Sequence, residues 1–199
     1  MKVLIACEFS GTVRDAFIRK GADAYSCDLL PDESTNGITG RHYQQDIRGV
    51  ITRSKGFDLI IAHPPCTCLA VSGNAHYGKG MPKHQLRLDA VEWTIDLWHL
   101  MLEHSDKVCM ENPVGVLPIK PTQYIQPYEH GHPESKKTGL WLHNLPKLQP
   151  SHDVKAQHDA LPRNQRMRLH YLPPSKDRWK IRSKTYTGIA NAMADQWSW

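Results

Sequence analysis

A cysteine that follows two prolines at the end of an apolar run is the residue best placed to act as a nucleophile. The run Phe57-Asp58-Leu59-Ile60-Ile61-Ala62-His63 leads directly into Pro64-Pro65-Cys66. Two prolines fix φ and withdraw two backbone donors, so Cys66 is expected on a stiff, non-helical loop. A thiolate held this way attacks a poor electrophile from one direction. Further along, Glu111-Asn112-Pro113 closes a second apolar run and supplies a carboxyl group suited to hydrogen bonding or proton transfer. The plainer alternative for the triplet is an ordinary strand end with an inert, buried cysteine.

Such groups need elements to carry them. Lys2 to Ala6, Asp23 to Ser26, His42 to Gln44, Leu59 to Ala62 and Lys107 to Met110 read as short strands. A helix is expected after Gly11, with Val13, Ala16 and Phe17 on one face and Gly21 as its stop. From Gln85 to His104, Leu88, Val91, Ile95, Trp98 and Leu102 recur at helical spacing, and Trp93 and Trp98 are expected to pack. Strands alternating with helices imply an α/β fold with a doubly wound, mostly parallel sheet of Rossmann-like type. Gly11, Asp28, Asp46, Pro64 to Cys66 and Glu111 each follow a strand. They therefore fall on one sheet edge, where such sheets bind ligands.

Beyond Pro118 only Thr138 to Leu142 reads as another strand, and Tyr186 to Trp197 as a short helix. Residues 144–184 are rich in Pro, His, Lys and Arg and read as a basic, loop-rich segment interrupting a catalytic body of 1–143 and 185–199. Charge follows that division. Residues 1–117 carry 12 Lys and Arg against 14 Asp and Glu, whereas 118–199 carry 13 against 6. Arg163, Arg166, Arg168, Arg178, Lys180, Arg182 and Lys184 lie among Tyr171, Trp179 and Tyr186, a mixture that suits phosphates and stacked bases. A solvated basic tail is the simpler account of the same residues.

The 199 residues suffice for one α/β domain with a small appendage. Five cysteines, an odd count in no disulfide framework, point to a reducing cytoplasm. No apolar run approaches a membrane span, so no membrane partner is expected. Cys66/Cys68 and His130/His132 lack a second, properly spaced ligand pair, so no metal is expected.

In order along the chain, these motifs resemble those of the DNA cytosine-5 methyltransferases, and the resemblance spans most of the sequence. Ile5-Ala6-Cys7-Glu8-Phe9-Ser10-Gly11 is similar to the family's Phe-Ala-Gly-x-Gly-Gly, with Glu8 and Ser10 replacing glycines. Pro64-Pro65-Cys66 matches the nucleophile motif, with Thr67 where glutamine is usual, and Val71-Ser72-Gly73 resembles the mobile catalytic loop. Glu111-Asn112-Pro113 matches Glu-Asn-Val, and the stretch Gly131 to Thr138 resembles Gly-x-Pro-Gln-x-Arg-x-Arg with departures at Glu134, Lys136 and Thr138. Ile189-Ala190-Asn191-Ala192-Met193 resembles the closing Gly-Asn-Ala-Val.

The resemblance implies a methyltransferase-type Rossmann-like fold that binds S-adenosylmethionine through Cys7, Glu8, Phe9, Ser10, Gly11, Asp28, Leu29, Asp46, Ile47, Pro64 and Asn191. It implies Cys66 as nucleophile on cytosine carbon 6, Glu111 as partner of ring nitrogen 3 and the amine, and supporting roles for Ser72 and Lys136. For the second of these roles burial must raise the Glu111 pKa. The implied substrate is cytosine flipped from duplex DNA, or presented on a single strand. A large target-recognition domain is missing, which implies short or relaxed sequence preference, as suits phage or prophage DNA marked against restriction. Three competing readings stay open: an amino-methyltransferase, a lapsed methyltransferase-like binding module, and the same chemistry on RNA or a nucleotide.

Overall fold

Strands β1 (Lys2–Ala6), β2 (Asp23–Asp28), β3 (His42–Gln44), β4 (Leu59–Ala62), β5 (Val108–Pro113), β6 (Gln123–Ile125) and β7 (Thr138–His143) form one sheet in the computed structural model, which describes residues 1–54 and 56–199. The strand order is β3-β2-β1-β4-β5-β7-β6. β1 to β5 run parallel, and β7 lies antiparallel between β5 and β6. The chain winds outward from β1 to β3, then returns to place β4 on the other flank of β1. In open sheets of this kind such a reversal marks where ligands bind, here at the carboxyl ends of β1 and β4.

Both sheet faces are covered, which is why the inner strands are apolar throughout. Val3 and Ile5 of β1 face one cluster with α1 (Thr12–Arg19) and the C-terminal helix; Leu4 and Ala6 face the other. The second cluster takes Ile47, Val50 and Ile51 from α2 (Ile47–Arg53) and Leu97 and Met101 from a long helix. A single turn, α3 (Asn74–Tyr77), precedes that long helix, α4 (His84–His104), on which Trp93 and Trp98 pack as expected.

Gly21 ends α1 as anticipated, at φ 84°, with its N–H on the Ile18 carbonyl. β2 and β5 run further than the sequence suggested, to Asp28 and Pro113. β6 went unpredicted because three residues between prolines show no period; it is held by its pairing with β7.

Residues 144–184 are more structured than a loop-rich reading implies. They contain α5 (Lys155–Ala160), α6 (Arg163–Arg166), α7 (Arg168–Tyr171) and α8 (Arg178–Ser183). The segment also begins inside the core: Leu148 is buried with the strands and α9 (Thr187–Trp197), and Trp197 Nε1 donates to Pro146 O. Trp197 is fully buried, whereas Trp199 lies outside with Lys107 over its ring. Among the described residues no helix is long and apolar enough to cross a membrane.

Candidate active site

Cys66 and Glu111 come from adjacent parallel strands, β4 and β5, whose register pairs Ala62 with Met110. Glu111 is therefore one residue past that parallel pairing, still within β5, beside the start of the Pro64-Pro65-Cys66 loop. Asn112 ties the two together: its Nδ2 donates to Pro64 O at 2.9 Å within the interior. The loop turns back at once, because Leu69 and Ala70 both donate to Cys66 O. Each charge of the cluster acts on the thiol. Burial pushes the Cys66 pKa up and the Glu111 carboxylate adds to this, while Lys136 and Arg182 pull it back.

For Glu111 the structure departs from the expectation that burial leaves its pKa raised. Burial is the largest single influence, but it is outweighed by a hydrogen bond from His63 and by the charges of Lys136 and His63. The carboxyl group is held below the usual carboxylate range and is ionised at neutral pH. His63 Nδ1 lies 2.9 Å from Glu111 Oε2. His63 did not stand out in the sequence as a site residue. Its only signal there was a polar residue closing an apolar strand, next to the prolines.

The crevice beside β1 gathers the nucleoside-binding candidates. Cys7 has φ 58°, a left-handed conformation that favours glycine, and Gly11 has φ 68°. A Cβ on Gly11 would meet Arg14 Nη2 at 2.5 Å and Ser34 Cβ at 2.8 Å, so packing beneath the loop requires glycine. Burial, then the charges of Asp28, Cys27 and Asp46, push the Cys7 thiol pKa up, which puts those two aspartates beside it. Asp28 Oδ1 accepts from Leu30 N–H, and no hydrogen bond engages Oδ2 among the described residues. Leu29 next to it is 73% exposed, an apolar side chain facing solvent.

Other candidates have different roles from those anticipated. Glu8 turns inward, 4% exposed, and its carboxyl accepts from the N–H groups of Val13 and Arg14, so it caps α1. Burial raises its pKa, only partly offset by the His63 charge and those two N–H groups. Asp46 caps α2 through Arg48 N and pairs with the Arg48 side chain, which lowers its pKa. Ile47 is buried in the core and Pro64 holds the Asn112 tie. Ser10 bonds Thr12. Asn191 does not join the site: its Oδ1 accepts from Arg19, at the end of α1 remote from Gly11. Ser72 sits in an exposed turn, Val71–Gly73, and no hydrogen bond joins it to Cys66 or Glu111.

The basic residues divide into two groups. Lys180 pairs with Glu33, Lys184 Nζ lies 3.9 Å from the same carboxylate, and the Trp179 ring lies tilted against Phe9 with centroids 6.0 Å apart. Lys136 Nζ donates to Lys184 O. The strap from α8 to Tyr186 thus spans from the Phe9 loop to the Glu111 cluster. Arg168 is committed to Glu134, which also accepts from Tyr186. Arg163, Arg166 and Arg182 form no ion pair among the described residues, and Arg178 Nη2 donates to His170 O. Among the described residues no group of three or more His, Cys, Asp or Glu could hold a metal ion. A cavity of about 10 Å³, room for one water, is lined by Glu111, Lys136, Thr138, Thr185 and Tyr186 together with Ile125 and Ile189. In comparisons with known proteins, no family model and no curated sequence matches the chain.

Proposed function

We propose that this chain methylates carbon 5 of cytosine in DNA, using S-adenosylmethionine and a transient covalent bond from Cys66. The observation that carries the proposal is that Glu111 and the Pro64-Pro65-Cys66 loop leave adjacent parallel strands and are tied together by Asn112, with the Glu111 charge raising the pKa of the Cys66 thiol. The crevice supports a nucleoside cofactor: Asp28 keeps one carboxylate oxygen for ribose hydroxyls, and exposed Leu29 offers an apolar surface to adenine. When bound, S-adenosylmethionine supplies the electrophilic methyl group.

The protein's part begins with the thiol, which must ionise to attack carbon 6. That bond moves the ring's conjugated electrons toward nitrogen 3, which takes a proton from water, the thiol having released one on ionising, and carbon 5 becomes enamine-like. Glu111, with Oε2 fixed by His63, has its other oxygen for nitrogen 3 and the exocyclic amine. Lys136, close enough to act on both Cys66 and Glu111, is suited to the pyrimidine carbonyl. Loss of the carbon 5 proton then expels sulfur and frees the enzyme. A pyrimidine needs far more room than the water-sized cavity on Glu111, so base binding includes a shift of Thr185 and Tyr186.

Tritiated methyl transfer onto duplex DNA, single-stranded DNA and RNA, followed by nucleoside analysis, tests the reading. The expected product is 5-methylcytosine in DNA. N4-methylcytosine or N6-methyladenine would overturn the mechanism, and product in RNA alone would reassign the substrate.

A further inference from the structure

Arg87, in the first turn of α4, is a buried cation that the reaction described above leaves without a task; it is 6% exposed. Its guanidinium is directed entirely at the stretch that follows the nucleophile. Nε donates to Cys68 O at 2.7 Å, Nη1 to Asn74 Oδ1 at 2.7 Å and Nη2 to Ala70 O at 3.1 Å. The acceptors are two carbonyls and an amide, and Arg87 forms no ion pair among the described residues. Arginine is seldom buried without a carboxylate beside it, because an enclosed charge must replace its lost hydration. Three charge-assisted hydrogen bonds do so here, and the planar fork reaches three residues at once.

Two of those acceptors belong to the turn that carries Cys66. Cys66 O accepts from the N–H groups of Leu69 and Ala70, and Arg87 grips the carbonyls of Cys68 and Ala70 in the same turn. Upstream of the thiol, Asn112 holds Pro64 O. Past the turn, Val71 N–H donates to Val114 O and Val116 N–H to Leu69 O, which joins the loop to the chain leaving β5. Leu69 is fully buried. The stretch whose motif resembles a mobile catalytic loop is thus anchored at its base, with Val71 and Ser72 facing solvent.

We propose that Arg87 is a positioning residue that holds the Cys66 loop in one preformed arrangement beside Glu111 before any substrate binds. The proposal rests on the cytosine-5 reading only for what Cys66 attacks; the clamp itself belongs to the protein without substrate. The thiol lies two residues from a fixed carbonyl on either side, Pro64 and Cys68, so side chains outside the loop set its approach to Glu111. Misplacing a reacting group by about 1 Å costs about 10²-fold in rate, which is the effect expected when the clamp is lost.

Amide hydrogen exchange of the full-length protein without substrate comes first, in wild type and in Arg87→Met, which keeps a buried stem and removes every donor. Exchange at Leu69, Ala70 and Val71 should rise about 10- to 100-fold, with a much smaller change in β1. Asn74→Ala, which removes one acceptor at an exposed position, decides the matter where Arg87→Met does not fold; the same amides should rise about three- to tenfold. An unchanged loop in the folded variant, or a rise of equal size in β1, would overturn the clamp. Iodoacetamide alkylation of Cys66 then reads position. Glu111→Gln should accelerate it in the wild-type background and leave it nearly unchanged in Arg87→Met. Equal acceleration in both would show that the thiol keeps its place without Arg87, against the proposal. Single-turnover methyl transfer to duplex DNA should fall about 10²-fold in Arg87→Met with S-adenosylmethionine affinity unchanged, and a wild-type rate would likewise overturn it. A wild-type protein making no 5-methylcytosine would sink the cytosine-5 reading instead, and exchange and alkylation alone would then decide the clamp.

Discussion

At the scale of single residues, the cluster around Cys66 is an electrostatic compromise. Glu111 raises the thiol pKa and Lys136 lowers it, while Lys136 and His63 keep Glu111 ionised. The thiol therefore rests protonated at neutral pH, and the couplings are measurable without any substrate. Glu111→Gln removes the charge that raises the thiol pKa, so iodoacetamide should alkylate Cys66 faster at pH 7.5, by about two- to tenfold. Lys136→Ala should slow the same reaction. Equal rates in all three proteins would mean that these groups do not share one site. Glu111 is the residue whose chemistry sequence could not supply: burial was foreseeable, but His63 beyond β4 and Lys136 on the approach to β7 reverse its effect from two distant parts of the chain.

At the scale of elements, most of what carries the site was legible in the chain. The order of strands β1 to β5 and the long helix, expected over Gln85 to His104 and observed from His84, follow from apolar period and from Gly and Pro punctuation. What escaped has a common cause. β6, α2 and the short helices between 155 and 183 lack enough residues for a period, and neighbours hold them rather than propensity. Asn191 is a separate case, since its helix was expected but its motif resemblance suggested the cofactor, whereas α9 turns it to Arg19. Gly188 makes the point physically. A Cβ there would meet His130 O at 1.7 Å, so α9 can seat against the Gly131 loop only with glycine. Gly188→Ala should lower stability by roughly 1–3 kcal/mol in urea unfolding. An unchanged midpoint would show that the loop and helix are not packed this closely.

For the molecule as a whole, two properties follow from how charge and burial are distributed. His130 is 2% exposed, and burial, with His132 adding, pushes its pKa down to about 4 from 6.5. A depressed value means that the neutral form is favoured on folding. Stability is full above pH 6.5 and drains as pH falls toward 4, by up to roughly 3 kcal/mol. His130→Asn should flatten that slope in thermal melts; an identical slope would place the acid sensitivity elsewhere. The basic segment makes the second property. Arg163, Arg166 and Lys176 form no ion pair among the described residues, whereas Arg168 and Lys180 are committed to Glu134 and Glu33. Replacing the three uncommitted cations by alanine should reduce the slope of log affinity for duplex DNA against log salt by up to about 0.9 each. Arg168→Ala should change it less. An unaltered slope in the triple variant would move the polyanion surface to another face.

The most direct measurement is mass spectrometry of the protein incubated with S-adenosylmethionine and a DNA duplex carrying 5-fluorocytosine. Fluorine at carbon 5 cannot leave as a proton does, so the chemistry stops with sulfur still bonded to carbon 6. A methylated nucleotide attached to the peptide that contains Cys66, and lost in Cys66→Ala, is the predicted result. Methyl transfer to ordinary cytosine by a protein that forms no such bond, or a bond to any other residue, would contradict it.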